Sequence, residues 1–572
     1  MNDRDIKRQL NTILFSAILI NVIIFNILSN IVMYEYDYDG WAPMPTLLVG
    51  TPNEPSTLDP TDSWDKYSNN VIEQVVETLF TYNLSDPEFP LVTLLAESYT
   101  WINATNLEIT VKNNVFFHDG NIFDANAVKW NLDRLRYLMN HTGELSSDAR
   151  VVKPHSLYEF PDGTPIFDKI IIKDPYTVEI HLVAPYSPIL DVMCYISCGM
   201  LSPNSTPDTS IISFTNGALV GTGPYVFDSY ISGQVTLLRY YNYWQGASDF
   251  ERLIFSIINN PHTLNYAMLA GDIDYIIESA IDFLPSYREN SWITVYDVNS
   301  PGLAYNYLVF NNKRINVTWR KAMSYAINYT YIIKIMLYNN AFRSYGPISS
   351  SFGDAYNPSI NETAPFYNLT HAREIIIDNI SEAAGRDPLN DSHWGLGFNT
   401  LISFNYSYNV DDQFRTDLYP LLKNWFTNIS INVIDGGTDW TNFDLRYNDY
   451  IPSSFNNLEL FWMSWTPSFY DPVNVFFPLF SNTSQWNVAQ VNDFKLEKMM
   501  VESLLEYNNS LRFEIYQNIS HYLAEELYPH AFGFHSKIHI VHAADLYNVP
   551  YNPTGKFYAY PIIRNETWIP NF

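Results

Sequence analysis

The spacing of apolar residues predicts alternating strands and amphipathic helices along most of the chain. Residues 107–111 and 178–182 carry an apolar side chain at every second position, so both runs are predicted to be strands with one buried face. Residues 47–50 form a short apolar run before a proline-rich loop and are predicted to be a further strand. Apolar residues recur at helical spacing in four other runs, which are residues 69–81, 319–333, 371–379 and 494–527.

Residues 115–135, VFFHDGNIFDANAVKWNLDRL, join a strand to a helix through a His-Asp-Gly corner. Asp124 is placed to cap the helix, because a carboxylate at that position accepts hydrogen bonds from the first backbone amides. Gly120 can take the positive φ that such a turn needs. We therefore predict that His118 and Asp119 form the turn and do not take part in catalysis.

The interleaving of strands and helices predicts an α/β protein with mixed α+β lobes. The chain has 572 residues, which is more than one hydrophobic core usually serves, so two or three lobes are expected. No repeat of the length typical of solenoid proteins is visible in the sequence.

The first residues predict where the protein resides. Residues 11–33 are free of charge and long enough to cross a bilayer as a helix. Basic residues precede this run and acidic residues follow it, which predicts a cytoplasmic tail at 1–10, a transmembrane anchor at 11–33, a linker at 34–45 and an extracellular remainder. A cleaved signal peptide is the alternative, although the run is long for one and no small-residue cleavage pattern closes it.

The composition favours an extracellular location and argues against a nucleic-acid partner. The chain has 61 acidic and 32 basic residues and a net charge of -29, which repels phosphate backbones, so we expect no nucleic-acid partner. Asn-X-Ser/Thr sequons are frequent and predict a glycoprotein, although an asparagine-rich chain also produces them by chance. They include Asn83, Asn103, Asn140, Asn316, Asn328, Asn368, Asn428, Asn482, Asn518 and Asn565.

The side chains that commonly carry chemistry form no recognisable catalytic or metal-binding motif. Phosphate-binding loops, zinc-protease motifs, nucleophile elbows and dinucleotide fingerprints are absent from the sequence. The only cysteines, Cys194 and Cys198, are too few for a metal site and predict a buried thiol pair, with a disulfide left open. His535, His539 and His542 mix strand and helix spacing, which argues against metal ligation. We expect no enzyme activity, no metal and no cofactor.

Six separated stretches, taken together and in order, resemble the extracytoplasmic solute-binding proteins of ATP-binding-cassette importers, in the dipeptide, oligopeptide and nickel branch known as family 5. Each stretch alone is weakly specific, whereas six in the correct order are strongly so. They are VGTPNEPSTLDP with ETLFTYN (residues 49–60 and 77–83), the corner stretch (115–135), GTGPYVF (221–227), YLVFNNKRINVTWRKAMSYAIN (307–328), YNLTHAREII (367–376) and WMSWTPSFYDPVNVF (462–476).

The resemblance implies a two-lobed periplasmic-binding-protein type II fold with an extra subdomain, preceded here by the transmembrane helix. Lobe I would take residues 46–82, 216–302 and 531–572, the accessory subdomain residues 83–215, and lobe II residues 303–530. A ligand would be held in the cleft between the lobes and handed to the permease subunits of an ABC transporter at the membrane.

The resemblance also implies which residues face the cleft. They come from the loop after the first strand, from a strand at the start of lobe II and from the segment before Pro472, and they are Asn53, Glu54, Ser56, Tyr305, Tyr307, Trp465, Ser468 and Asp471. Relatives that hold the amino terminus of a peptide commonly have an Asp where this chain has Ser468. The natural partner of a charged peptide amine is therefore missing at this position, and an unpaired buried ammonium is costly.

A peptide is the first candidate ligand, because it is the commonest ligand class of the family. An oligosaccharide is the alternative, since aromatic faces suit sugar rings and Trp462, Phe469 and Tyr470 add to the aromatic residues already named. Packing in the core is an equally available role for each of these aromatics. Two other classes remain open, a surface glycoside hydrolase or peptidase and a structural coat protein.

Overall fold

The computed structural model describes residues 45–145, 150–214, 219–231, 233–443 and 458–565. The predicted cytoplasmic tail, the predicted transmembrane anchor and nearly all of the predicted linker lie outside these ranges. Within the ranges, no helix combines the length and the apolar composition that a membrane span requires.

The described chain mixes strands and helices, which confirms the predicted α/β class. The strands are β1 Thr46–Thr51, β2 Phe80–Tyr82, β3 Leu91–Thr93, β4 Ala96–Asn103, β5 Asn106–Val111, β6 Phe167–Asp174, β7 Thr177–Leu182, β8 Tyr225–Ile231, β9 Gln234–Arg239, β10 Arg252–Ile257, β11 Tyr275–Ile276, β12 Ile293–Phe310, β13 Ala341–Arg343, β14 Ile402–Asn409, β15 Ile431–Thr438, β16 Leu460–Trp465, β17 His530–Ala543, β18 Leu546–Tyr547 and β19 Ile563–Arg564.

The α-helices are α1 Lys66–Ile72, α2 Ala125–Leu138, α3 Ile189–Val192, α4 Pro261–Ala270, α5 Leu284–Glu289, α6 Val317–Ala326, α7 Tyr329–Tyr331, α8 Ile360–Thr363, α9 Leu369–Asn379, α10 Gln413–Thr427, α11 Val473–Phe480, α12 Phe494–Leu505 and α13 Asn509–Tyr522. Short 3-10 helices lie at Pro60–Asp62, Lys153–Tyr158, Ile196–Cys198, Ile281–Phe283, Ser350–Ala355, Ser381–Ala383, Asp391–His393 and Gly397–Asn399, and π-helical turns lie at Ile332–Met336 and Leu523–Leu527.

Eleven of the described strands form one large sheet. Its order is β15-β14-β16-β12-β17-β11-β1-β10-β9-β8, with β13 paired to β17. β1 runs parallel to β10 and β11, and β14 runs parallel to β15 and β16. A separate four-stranded antiparallel sheet, β4-β5-β7-β6, forms within residues 96–182.

Two long antiparallel strands build the centre of the large sheet. β12 has 18 residues and β17 has 14. Their pairing is continuous from Ile293 to Asp297 and from Tyr307 to Val309, and it shifts register three times between Asp297 and Tyr307. β11 pairs with the C-terminal end of β17, whereas β16 pairs with the C-terminal end of β12. The sheet therefore consists of two regular halves joined through the irregular middle of these two strands.

Alternate side chains of β12 enter different cores. Tyr305, Tyr307 and Val309 belong to the largest cluster of buried apolar residues, whereas Leu308 and Phe310 belong to a second cluster. Successive side chains of a strand point to opposite faces of its sheet, so one strand serves both layers. The position of β12 thus fixes the packing on both faces at once.

The strand predictions are confirmed by β1, β5 and β7, and the helix predictions are confirmed in part. Residues 371–379 lie within α9. Residues 319–333 and 494–527 are each divided, into α6 with α7 and into α12 with α13, and a π-helical turn follows each pair. The second helix of each pair begins at its own cap, because the side chains of Asn328 and Asn508 accept hydrogen bonds from backbone amides of the new first turn.

The helix predicted at 69–81 is wrong beyond Ile72, where α1 ends. The amide of Gly223 donates to the carbonyl of Val75 at 2.9 Å, and the amide of Tyr225 donates to the carbonyl of Gln74 at 3.0 Å. A Cβ atom at position 223 would lie 2.8 Å from Gln74 O, so this approach requires glycine. The carbonyls that would continue the helix are taken by a distant segment, which apolar periodicity does not reveal.

The His-Asp-Gly corner forms the turn that the sequence predicts. Gly120 has a φ of 83°, and Asp124 caps α2. Burial lowers the pKa of His118 to about 4, so its neutral ring can donate from Nε2 to Gly223 O at 2.9 Å. Asp119 accepts hydrogen bonds from two serine hydroxyls. Both residues therefore hold the corner against neighbouring loops.

The cysteines and the clustered histidines lie in different parts of the structure. Cys194 and Cys198 are free thiols, and Cys198 Sγ donates to the Tyr158 hydroxyl at 3.3 Å. Cys198 is buried and Cys194 is partly buried, so the predicted buried thiol pair is confirmed in part, and the two thiols form no disulfide in this structure. The histidines first considered as a metal site lie along β17, and no group of three or more His, Cys, Asp or Glu in the described ranges is arranged to hold a metal ion.

A buried ion pair joins the proline-rich loop after β1 to helix α2. Arg134 Nη2 lies 2.5 Å from Asp59 Oδ2, and the two side chains are 2% and 0% exposed. Asp59 also accepts hydrogen bonds from two backbone amides, and Arg134 also donates to two backbone carbonyls. Both charges are therefore compensated although neither reaches water.

Replacing Arg134 by Met is expected to destabilise the fold by about 3–5 kcal/mol, because the Asp59 carboxylate would stay buried without its cation. Lys129→Met on the same helix is the matched control. It breaks a pair with Asp133 whose side chains are 39% and 38% exposed, and it should cost at most about 1 kcal/mol. Chemical denaturation of both variants measures the difference, and equal losses would contradict the assigned role.

Candidate functional site

Segments that are far apart in the chain meet through aromatic side chains. Tyr470, in the loop after β16, donates its backbone amide to the Tyr82 hydroxyl at 3.0 Å. The Tyr470 ring also packs edge-on against Tyr82 and Phe89 and stacks on Phe352 with a centroid distance of 5.2 Å. One residue therefore contacts both the β2–β3 hairpin and the 3-10 helix that contains Phe352.

Three tryptophans from distant parts of the chain form a second contact, which we call the tryptophan cluster. The rings of Trp64 and Trp486 are nearly parallel, with an interplanar angle of 9° and centroids 5.9 Å apart. The ring of Trp465 lies 6.0 Å from Trp486 at 54°. All three side chains are partly exposed. The cluster can therefore offer aromatic surface to a bound molecule.

The loop that carries Trp465 and Ser468 is fixed by one buried asparagine. Trp465 Nε1 donates to the carbonyl of Asn474 at 2.7 Å, and the amide of Ser468 donates to Asn474 Oδ1 at 2.5 Å. Asn474 belongs to α11, so the helix sets the position of the loop. The structure thus brings these two predicted site residues onto one well-supported segment.

The predicted residues of the first loop are exposed. Asn53, Glu54 and Ser56 stand in the loop that follows β1. Ser56 Oγ donates to Asp65 Oδ2 at 2.5 Å, and the Lys153 ammonium lies 3.5 Å from the same hydroxyl. Amide, carboxylate, hydroxyl and ammonium groups are therefore available together at this loop.

The two predicted tyrosines of β12 are buried. The centroids of the Tyr305 and Tyr307 rings are 4.3 Å apart, and the Tyr307 ring lies 4.2 Å from the ring of His530. Burial holds the pKa of His530 well below its ordinary value, so the stack contains a neutral imidazole. Both tyrosines pack the core in this structure, and their contact with a ligand stays a prediction.

Asp471 is also buried, and its carboxylate is bound within the protein. It accepts hydrogen bonds from the Tyr516 hydroxyl at 2.8 Å and from the Val473 amide at 2.9 Å. Arg512 Nη2 lies 3.3 Å from its second oxygen. Its predicted contact with a ligand likewise stays a prediction.

Sequence reasoning missed several residues that make these long-range aromatic contacts. Trp64, Trp486 and Tyr82 were not among the predicted site residues, although each makes one of the contacts described above. Trp64 stands four residues after the end of the proline-rich loop, which is a weak signal for a place near the site. Nothing in a single sequence indicates that its ring meets the ring of Trp486.

Two cavities lie close to these contacts. One has a volume of about 330 Å³ and is lined by residues of the 156–163 segment, by α11, and by Phe469 and Trp486. The other has a volume of about 790 Å³ and lies between the β2–β3 hairpin, Trp244 and the 548–561 segment. Both can hold part of a small solute. Only the first is lined by a member of the tryptophan cluster.

Comparison with known sequences gives one family and several relatives. The family described as "Bacterial extracellular solute-binding proteins, family 5 Middle" matches residues 90–487. The glutathione-binding protein GsiB of Pectobacterium atrosepticum is 24% identical over 447 residues, which cover 76% of this chain and 77% of the relative. GsiB of Escherichia coli strain K12 is 24% identical over 458 residues, which cover 77% of this chain and 80% of the relative.

Two solved structures illustrate the likeness in fold. The ABC transporter-associated periplasmic binding protein DppA from Helicobacter pylori, in complex with peptide STSA, has a TM-score of 0.72 and 18% identity, and the match covers 91% of this chain and 98% of that one. NikZ from Campylobacter jejuni, in complex with Ni(L-His), has a TM-score of 0.72 and 20% identity, with 91% and 100% covered. At these identities the likeness shows a shared fold.

Proposed function

Because the chain belongs to family 5 of the bacterial extracellular solute-binding proteins, it is a binding protein and not an enzyme, and we propose that it captures a peptide-like solute for an ABC importer. The solute would be held between two lobes and passed to the permease subunits. Residues 11–33 would anchor the chain as a single membrane span, with the bulk of the protein extracellular and a subset of the sequons glycosylated.

The observation that carries this proposal is the irregular middle of β12 and β17. These strands connect both regular halves of the large sheet, and their pairing loses register between Asp297 and Tyr307. A few residues of irregular backbone between two packed bodies can absorb the rotation of a hinge. We propose that the lobes rotate about this segment, which contains the boundary between residues 302 and 303 that the family resemblance implies.

The aromatic contacts support a closing movement. In the proposed division Trp64 and Tyr82 belong to lobe I, whereas Trp465, Trp486 and Tyr470 belong to lobe II. Their contacts would be made when the lobes close. A solute bound beside them stabilises the closed form by the difference between its affinities for the closed and open forms.

The relatives and the chemistry of the tryptophan cluster support the proposed ligand classes. The curated relatives are named for glutathione, which is a small peptide, and the DppA structure holds a peptide. Peptide-like ligands are therefore the first proposal. An oligosaccharide is the second, because the tryptophan cluster provides ring faces on which sugars can stack.

We expect one solute class to raise the melting temperature of the full chain, because a ligand that binds only the folded state adds RT ln(1 + [L]/Kd) to its stability. The gain is about 2.7 kcal/mol at a hundredfold excess over Kd. Thermal unfolding with glutathione, Ser-Thr-Ser-Ala, Met-Leu and a set of oligosaccharides checks this, together with mass spectrometry of any co-purified molecule. Chemical turnover of a solute, or no thermal shift with any, would contradict the proposal.

Trp465→Ala and Trp486→Ala are each expected to weaken binding of the best solute about tenfold or more, since a contacting tryptophan commonly dominates an interface. Trp440→Ala is the control, because Trp440 is exposed and lies outside the tryptophan cluster. Titration calorimetry with the best solute measures the affinity of each of the three variants. Parent-like affinity in both cluster variants would place the solute elsewhere.

A further inference from the structure

An interface outside the tryptophan cluster joins the segment before α3 to helices α12 and α13. The amide of Ser187 donates to the carbonyl of Leu504 at 2.7 Å, and the Ser187 hydroxyl accepts a hydrogen bond from Arg512 Nη1 at 3.2 Å. The amide of Tyr186 donates to the Tyr507 hydroxyl at 3.1 Å. In the proposed division these bonds cross from the accessory subdomain to lobe II.

Two carboxylates and one guanidinium lie beside this interface. Arg512 Nη2 is 3.3 Å from Asp471 Oδ2, and both side chains are buried. Asp191, on α3, accepts a hydrogen bond from the Tyr82 hydroxyl at 3.1 Å and lies within electrostatic reach of both Asp471 and Arg512. One guanidinium balances one carboxylate. The second carboxylate is therefore left without a counter-charge unless it binds a proton.

The surrounding titratable groups do not supply the missing charge. Burial raises the pKa of each phenol and thiol near the pair, so these groups stay neutral; they are Tyr82, Tyr186, Tyr516 and Cys194. The Lys556 ammonium has an electrostatic effect on Cys194. It lies 2.5 Å from the Glu73 carboxylate, however, and forms an ion pair with it. Arg512 is thus the principal cation for two acids.

We propose that Asp191, Asp471 and Arg512 form a proton-linked clamp, which positions lobe II against the accessory subdomain and takes up a proton as it closes. The importance of the clamp for solute capture rests on the proposed function. The clamp itself is a property of the chain without a solute. Asp191 and Arg512 act here as positioning residues, since they would hold the lobes and not the solute.

The direction of the pH effect follows from Asp191. Burial, and then the Asp471 carboxylate, raise its pKa to about 7, and Arg512 opposes the rise. Its ordinary pKa is about 4, so the closed form binds the extra proton between those values. At low pH Asp191 is protonated in both forms, so its raised pKa does not change the equilibrium between the closed and open forms. It weakens the closed form by up to about tenfold for each pH unit between about 4 and 7, and the effect is constant above 7.

Thermal unfolding of the full, ligand-free chain tests the proton. Asp191→Asn keeps an oxygen that can accept from Tyr82 but carries no charge. We expect the melting temperature of the parent to fall relative to this variant as the pH rises from 5 to 7, with a constant difference above 7. Asp168→Asn removes an exposed carboxylate of β6, and its melting temperature should change with pH in the same way as that of the parent. A pH-independent difference between the parent and Asp191→Asn would overturn the proposal.

X-ray scattering tests the clamp. Arg512→Met should enlarge the radius of gyration at pH 7, and Arg512→Lys, which keeps the charge, should restore part of the compact dimension. Tyr507→Phe is a milder variant that removes a hydroxyl bonded to the Tyr186 amide and to the carbonyl of Ala104. Unchanged dimensions in both Arg512→Met and Tyr507→Phe would overturn the clamp. Absence of any bound solute would instead count against the proposed function, and these ligand-free results would stand.

Discussion

The antiparallel pairing of β12 with β17 is the constraint on which the rest of the structure depends. β16 takes its register from one end of this pair, and β11 takes its register from the other. Because alternate residues of β12 enter two different cores, the same pairing also sets the packing on both faces of the sheet. Within the described residues, the three register shifts in its middle join the two regular halves through irregular strand pairing.

The exposed loops of the site depend on buried anchors beside them. The loop with Asn53 and Ser56 leads into Asp59, whose carboxylate is held by Arg134 inside the protein. The loop with Ser468 is fixed by Asn474. A loop whose ends are tied in this way can present polar groups to solvent without losing its shape, which is what recognition of a small molecule requires.

The sequence predicts the features that depend on neighbouring residues. The alternation in residues 107–111 and 178–182 reports burial of one strand face, which is a local property, and the cap at Asp124 is equally local. The end of α1 is not a local property, because the amides of Gly223 and Tyr225 bind the carbonyls of residues just beyond the helix.

The candidate site was less predictable for the same reason. Family resemblance pointed to the loops that carry Ser56 and Trp465. It did not show that Trp64 meets Trp486, or that Asp471 is enclosed by Arg512 and by the Tyr516 hydroxyl. Such contacts arise only when segments far apart in the chain are packed together, so a single sequence does not contain a pattern for them.

The position of β17 has a consequence for biogenesis. This strand fills the middle of the large sheet, yet it follows every other described strand of that sheet in the chain. Until it arrives, β12 and β11 each present an unpaired edge to a gap one strand wide, and such edges readily recruit other chains. The nascent protein therefore needs protection from aggregation until β17 has been synthesised and can pair with both edges. A truncation before residue 530 would divide the sheet in two instead of trimming its border.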